Sequence, residues 1–302
     1  MSGGQLHLFP GQGSQARGMA RAALERSAAT RRFVESASEA TGLDLRELCV
    51  SASVETLTPT QIQQPALTAA ALSCWIAARP DGRDSDEPDA DDRFTGHSIG
   101  ALAAAAASGH LDPVSAVRLA QLRGRLMAAA PGRGGMLAVV TGKERSETAQ
   151  RSRADALAER HGLDVAAVNG PTQVVLSGAL DRIEAAHEAT GSRSTMLKVS
   201  HAFHSRLMEP AQQAWADALA STRLAKGRGY VGCTTGRLAA SPEEVRQDLA
   251  AGLRRTVRWM AVLEATSACR SVAVYGPGHA LARLMRPYLD NRPVRSPGGG
   301  SR

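Results

Sequence analysis

Residues 96–100, Gly-His-Ser-Ile-Gly, place a serine between two glycines. A serine hydroxyl turns nucleophilic when a strained strand-to-helix turn exposes it, and small flanking residues permit that turn. At the start of the following alanine-rich helix, an acyl oxyanion at Ser98 would meet free backbone N–H groups and the positive end of the helix dipole. The pattern is short and the chain holds 29 glycines, so the same residues also suit a plain helix start. A neutral serine needs a base, usually histidine. Of eight histidines, His201 and His204 share the stretch "KVSHAFHSRLMEP", a loop of the kind that carries site residues. Taken singly, each serves as readily as a surface or packing histidine. No Asp or Glu stands out to orient either, which leaves a main-chain carbonyl for that role. His97 is a packing or hydrogen-bonding residue rather than the base, because neighbours on a tight turn point apart.

The elements that must hold these residues follow from pattern. "LHLF" at 6–9 is a short strand ending in the turn "PGQGSQ", and helical patterning runs from Arg17 to Leu48. "TPTQIQQPALTAAALSCWIAA" predicts a long buried helix with Thr58 as N-cap and Pro59 at its first position, Pro65 complicating the first turns. The Pro/Gly/Asp stretch 79–92 predicts an exposed loop, "RFTG" a strand, and Asp112-Pro113 the capped start of another helix. From 134 to 198 the order strand, helix, strand, strand, helix, strand predicts a ferredoxin-like insertion. Larger helices return over 206–220, after the capping-box-like "SPEE" at 241–244, and over 256–268. "SVAVYGPG" is the last core strand and turn, a helix runs to Tyr288, and 289–302 is a disordered tail.

Composition narrows the function. The chain has 302 residues, 43% hydrophobic, with no apolar run near the ~20 residues of a membrane span and no export signal, which predicts a soluble cytoplasmic protein. The net charge of +7 comes from arginines scattered along the chain, without the aromatic interleaving of a nucleic-acid reader. Such a surface favours acidic partners, including phosphorylated cofactors and carrier proteins. The four cysteines lack metal-type spacing and read as reduced, mostly buried thiols. "PGQGSQ" lacks the lysine of a phosphate loop.

"LFPGQGSQ", "QQPAL", "GHSIG", "LRGRLM", "GGMLAV", "VNGPTQVVLSG", "VSHAFHSRLMEP" and "GPG" occur in that order over residues 5–288. Together they closely resemble the malonyl-CoA:acyl carrier protein transacylases and the acyltransferase domains of polyketide synthases. The resemblance implies an α/β fold: an α/β-hydrolase-like core over 1–133 and 199–288 with the ferredoxin-like small subdomain at 134–198. It implies that Ser98 is the nucleophile, that His204 rather than His201 is the base, and that the N–H groups of Gln12 and Ile99 form the oxyanion hole. The carbonyl orienting the base falls near Gly252, ahead of "TVRW". Arg123 matches the arginine that grips the free carboxylate of malonyl, and Gln64 and Asn169 match polar residues lining the site. A guanidinium offers a carboxylate a planar bidentate fork, so an arginine facing a dry acyl pocket favours dicarboxylic units. Without the motif, Arg123 would read as one more exposed helix arginine like Arg118 or Arg125. The "HAFH" signature, with His201 and Phe203 among the substrate-binding residues, goes with malonyl where "YASH" goes with methylmalonyl. Phe203 fills the space of an α-methyl, a discrimination of only ~1 to 3 kcal/mol, so the expectation is preference rather than absolute selection.

The implied activity is ping-pong transfer of malonyl from malonyl-CoA to the phosphopantetheine thiol of an acyl carrier protein, with no bound cofactor and no metal. The chain begins almost at its first core strand and ends just after its last helix, so it is expected to act in trans, as a monomer, in polyketide or fatty-acid synthesis. Two positions depart from the family: Ala101 stands where a glutamate is usual and Val274 where an acidic residue is usual. Ala101 reads as a matter of helix stability, and both are candidates to alter carrier or subunit contacts. The rivals are an acyl hydrolase clearing stalled thioesters, disfavoured by Arg123, and a non-catalytic docking protein, disfavoured by Ser98, His204 and Arg123 together.

Overall fold

The computed structural model describes residues 3–79, 89–144, 146–278, 280–285, 288 and 293–297. The loop expected over 79–92 falls largely outside them, as do 289–292 and 298–302 of the expected tail. The fold is mixed α/β, with one parallel and one antiparallel sheet. The first contains β1 (Gln5–Phe9), β2 (Arg93–Gly96), β7 (Ser271–Val274) and β8 (Val294–Arg295), in the order β2-β1-β7-β8. All its pairings are parallel. Such sheets need both faces covered, and β1 and β2 are accordingly buried past their first residue. β8 was not expected. The open edge of β7 presents unpaired backbone groups, and the extended Pro293–Arg295 segment occupies it with Val272 N donating to Pro293 O at 3.0 Å, whatever its side chains.

Helices follow β1, β2 and β7. The helix Thr60–Ala77 is buried along nearly all its length, as its near-continuous apolar sequence requires. It starts one residue later than its prolines suggest: Pro59 is the N-cap, and Thr58 instead bonds back to the Val54 carbonyl at 2.7 Å. Pro65 lies inside it. The helix Pro113–Ala128 begins as expected, with Asp112 accepting from Ser115 N at 2.8 Å. Between them in sequence, Gly100–Ala107 is buried at every position, an alanine rod whose small side chains let neighbouring helices approach.

The second sheet contains β3 (Gly134–Val140), β4 (Asp164–Gly170), β5 (Gln173–Ala179) and β6 (Ser194–Met196), in the order β4-β5-β3-β6, all antiparallel. The helices Glu147–His161 and Leu180–Thr190 complete a βαββαβ unit. Residues 255–258 run along the free edge of β4. Thr256 Oγ donates to Val165 O, Val257 N to Ala166 O and Val168 N to Val257 O, so this segment pairs with β4. Arg258 grips the buried Glu147 with Nε at 2.9 Å and Nη2 at 2.7 Å.

Asp248, 2% exposed on the helix Pro242–Ala251, anchors the turn that follows Tyr230. Its two oxygens accept from Tyr230 Oη, Thr234 Oγ and the backbone N–H groups of Cys233, Thr234 and Thr235. Asp248→Ala leaves these buried donors unmatched and is expected to cost about 3 kcal/mol or more. A urea midpoint unchanged from wild type would contradict this.

Candidate active site

Ser98 sits where β2 turns into the helix Gly100–Ala107, with φ 53°. The left-handed region is costly for a residue with a Cβ, so the turn is held by its surroundings. Its two glycines are sterically obligatory. A Cβ at Gly96 would lie 2.1 Å from the Gly100 carbonyl carbon, and one at Gly100 would lie 2.2 Å from Phe9 O. The same packing places the loop after β1 beside the serine: His97 N donates to Phe9 O at 3.1 Å. Among the described residues, the backbone N–H groups of Gln12 and Ile99 have no hydrogen-bond partner in the protein.

Ser98 Oγ lies 2.7 Å from His204 Nε2. His204 is 5% exposed and also has positive φ, 58°. Ser205 closes the turn that holds it, its hydroxyl donating to Ala202 O at 2.6 Å and accepting from Leu207 N at 3.2 Å. The tautomer follows from the other ring nitrogen. His204 Nδ1 is 3.0 Å from the Arg255 carbonyl, which can only accept, so Nδ1 carries the proton and Nε2 is free to take one from Ser98. The orienting carbonyl is therefore that of Arg255 and not of Gly252. Gly252 ends the helix Pro242–Ala251, and its carbonyl turns to Arg123 Nη2 at 2.8 Å; three residues further, the chain has reached the β4 edge and faces the histidine.

Arg123 is 3% exposed on the helix Pro113–Ala128. Nη1 donates to Gln64 Oε1 at 2.8 Å, and Nη2 lies 3.3 Å from Ser98 Oγ. Every partner is neutral: among the described residues no carboxylate pairs with this buried cation. Burial lowers its pKa to about 10, which leaves it charged at neutral pH. Burial first, and the Arg123 charge second, lower His204 to about 3, with the Arg255 carbonyl opposing. The histidine thus rests neutral at pH 7.

The remaining candidates are less direct. Gln64 is fully buried, its amide shared between Arg123, Thr60 and Met127. Asn169, on β4, bonds His97 Nε2 at 2.9 Å and donates to Gln173 at 2.9 Å, so it meets the serine turn through His97. Burial depresses the His97 pKa. Phe203 is buried, and His201 stacks on it with ring centroids 6.1 Å apart while bonding Ser200. Ala101 and Val274 are 4% and 2% exposed, so neither can touch a carrier or a second subunit directly. Ala101 instead lines a cavity of about 10 Å³ behind the serine with Arg123, Cys233 and Asp248. Pattern reasoning missed Arg255, whose contribution is a main-chain atom, and Ser205, although "HAFHS" contains it.

Arg123, buried and without a carboxylate partner among the described residues, thus stands beside the Ser98–His204 pair. Residues 6–284 match the family described as the acyl transferase domain. The chain belongs to that family. Among acyl transferases it resembles PksC of Bacillus subtilis, a polyketide biosynthesis malonyl CoA-acyl carrier protein transacylase, at 32% identity over 84% of this chain and 85% of PksC. Some relatives are far longer: the chain spans 24% of the polyketide biosynthesis protein ThaF of Burkholderia thailandensis, at 34% identity over 94% of its own length. The acyl-carrier-protein S-malonyltransferase of Bartonella henselae superposes with a TM-score of 0.87 at 28% identity, covering 98% of this chain and 96% of that one. A type II polyketide synthase malonyl-transacylase, solved with its acyl carrier protein, gives 0.82 at 28% identity, with 97% and 94% covered. Among the described residues no helix is long and apolar enough to cross a membrane.

Proposed function

We propose that this chain moves a malonyl group from malonyl-CoA to the phosphopantetheine thiol of an acyl carrier protein, in polyketide or fatty-acid biosynthesis. The observation that carries the reading is the charged, carboxylate-free Arg123 within 3.3 Å of the Ser98 hydroxyl, itself 2.7 Å from a neutral His204.

Ser98 attacks the thioester carbonyl as its proton passes to His204 Nε2. The N–H groups of Gln12 and Ile99 hold the tetrahedral oxyanion, and the protonated His204 hands its proton to the departing CoA sulfur. The carrier thiol then reverses these steps on the acyl-serine. The malonyl carboxylate, gripped by Arg123, also cancels part of the charge that depresses His204 and so favours proton uptake once substrate is bound. The chain supplies nucleophile, base and donors itself, and no metal or redox group enters the scheme. The parallel sheet and the βαββαβ unit support reading the fold as an α/β-hydrolase-like core, 1–133 and 199–288, with a ferredoxin-like subdomain at 134–198. The buried Phe203 of "HAFH" supports malonyl over α-branched units.

Because the free-site histidine is held near pH 3, kcat/KM for malonyl-CoA should stay flat from pH 7 down to about 5. A histidine with the ordinary value near 6.5 would lose about tenfold by pH 5.5. The linkage has a matching sign: the unfolded state binds the proton first, so the neutral histidine's contribution to stability is present above about pH 6.5 and falls as pH drops towards 3. Rate profiles and urea midpoints across that window check both; a kinetic midpoint near 6.5 would contradict the assignment.

The direct test is to isolate the malonylated protein, add a phosphopantetheinylated acyl carrier protein, and weigh both partners. Transfer to the carrier faster than loss to water supports the transferase. Loss to water at a rate independent of the carrier would support a hydrolase instead.

A further inference from the structure

Thr60 opens the helix Thr60–Ala77 and is 5% exposed. Its hydroxyl oxygen accepts two hydrogen bonds, from Gln12 Nε2 at 2.9 Å and from Gln64 Nε2 at 2.9 Å. A hydroxyl has two acceptor sites, and both are taken. The direction of this run is dictated by charge. A guanidinium can only donate, so Gln64 must turn Oε1 towards Arg123, which leaves its Nε2–H group for Thr60. Gln12 donates to Thr60 from the other side and also to Gln63 Oε1. Arg123, Gln64, Thr60 and Gln12 thus form one hydrogen-bonded chain from the buried cation to the glycine loop, with the donors of both glutamines converging on the Thr60 oxygen. Helix packing fixes its span. A Cβ at Gly124 would lie 2.7 Å from the Thr60 carbonyl oxygen, so the Arg123 helix meets Thr60 backbone to backbone.

We propose that Thr60 is a positioning residue that couples the oxyanion loop, through Gln12, to the carboxylate-gripping Arg123, through Gln64. The proposal rests on the roles given above to Arg123 and Gln12. Thr60 touches no reacting atom. A malonyl carboxylate engages Arg123 and settles the whole chain, including the loop that presents the Gln12 N–H group. An acetyl group engages nothing at the arginine end and gains less from the link. Thr60 therefore raises oxyanion stabilisation selectively for the dicarboxylic acyl unit.

The test compares single-turnover acylation by malonyl-CoA and acetyl-CoA in wild type, Thr60→Val, Thr60→Ser, Arg123→Ala and the double variant Arg123→Ala/Thr60→Val. Valine keeps the shape and removes the acceptor, and serine keeps the acceptor. Each glutamine amide loses one of its two acceptors, Gln12 keeping Gln63 and Gln64 keeping Met127, so Thr60→Val should slow malonyl acylation about 30-fold and acetyl acylation about threefold. Thr60→Ser should stay within about threefold of wild type on both. In the Arg123→Ala background, Thr60→Val should slow both acyl groups by the same factor. Equal losses on both substrates with Arg123 intact, or no rescue by serine, would overturn the coupling while leaving the site's reading in place. If Arg123→Ala keeps the wild-type ratio of malonyl to acetyl, the reading itself fails and the proposal with it. Should Thr60→Val not fold, Gln12→Met removes the same link from its other end and carries the same predictions.

Discussion

His204→Ala lowers kcat for malonyl transfer by about 10⁴-fold or more, and Ser98→Ala lowers it at least as far. Both numbers follow from the geometry of one hydrogen bond. At 2.7 Å, with the Arg255 carbonyl fixing the proton on Nδ1, Ser98 and His204 act as a unit. The double variant should be no worse than either single one, because the second deletion removes a group whose partner has already gone. What activity remains belongs to the oxyanion donors and to binding, which neither substitution touches. The strain at both residues supports the same view. Positive φ at a serine and a histidine costs stability that the fold recovers elsewhere, and the two strained residues are the two that must meet. Steady-state rates on malonyl-CoA check the prediction. A double variant many-fold slower than both singles would mean that the two side chains act independently.

Arg123→Ala is expected to lower kcat/KM for malonyl-CoA by about 30- to 5,000-fold, the range for removing one partner of a buried charge pair worth about 2–5 kcal/mol. Acetyl-CoA should lose far less and could gain, since a neutral acyl group no longer faces an unpaired buried cation. Lysine should rescue only partly. It restores charge but not the planar fork, and it cannot donate to Gln64 and Gly252 while presenting two parallel donors to a carboxylate. Competition between malonyl-CoA and acetyl-CoA in one mixture, read as the ratio of acyl adducts, measures the switch. An unchanged ratio in Arg123→Ala would remove the arginine from substrate recognition.

Much of this site was legible in residue types. The glycines about Ser98, the order of strands and helices over 134–198, and the cap at Asp112 are local signals, and local signals survive without coordinates. The choice between His201 and His204 needed the motif, since both lie in one loop and differ only in which way the backbone turns. The φ of 58° at His204 and the Ser205 turn that holds it make the choice in space. Gly252 in place of Arg255 was an error of three residues. A main-chain carbonyl has no side-chain signature, and a helix end followed by an edge pairing changes direction too sharply for spacing to track. Ala101 and Val274 show the converse: a departure from family pattern says that a residue differs, but only burial says whether a partner can reach it. β8 escaped notice because its pairing is a property of the open β7 edge and not of the residues that fill it.

The proposed transfer places the acyl group on Ser98 and its selection at Arg123. The most direct measurement is the intact mass of the protein after brief exposure to malonyl-CoA or acetyl-CoA, for wild type, Ser98→Ala and Arg123→Ala. One malonyl adduct is expected on wild type, none on Ser98→Ala, and a malonyl adduct weakened or replaced by acetyl on Arg123→Ala. A malonyl adduct that persists on Ser98→Ala, or a wild type that takes acetyl and no malonyl, would contradict that assignment.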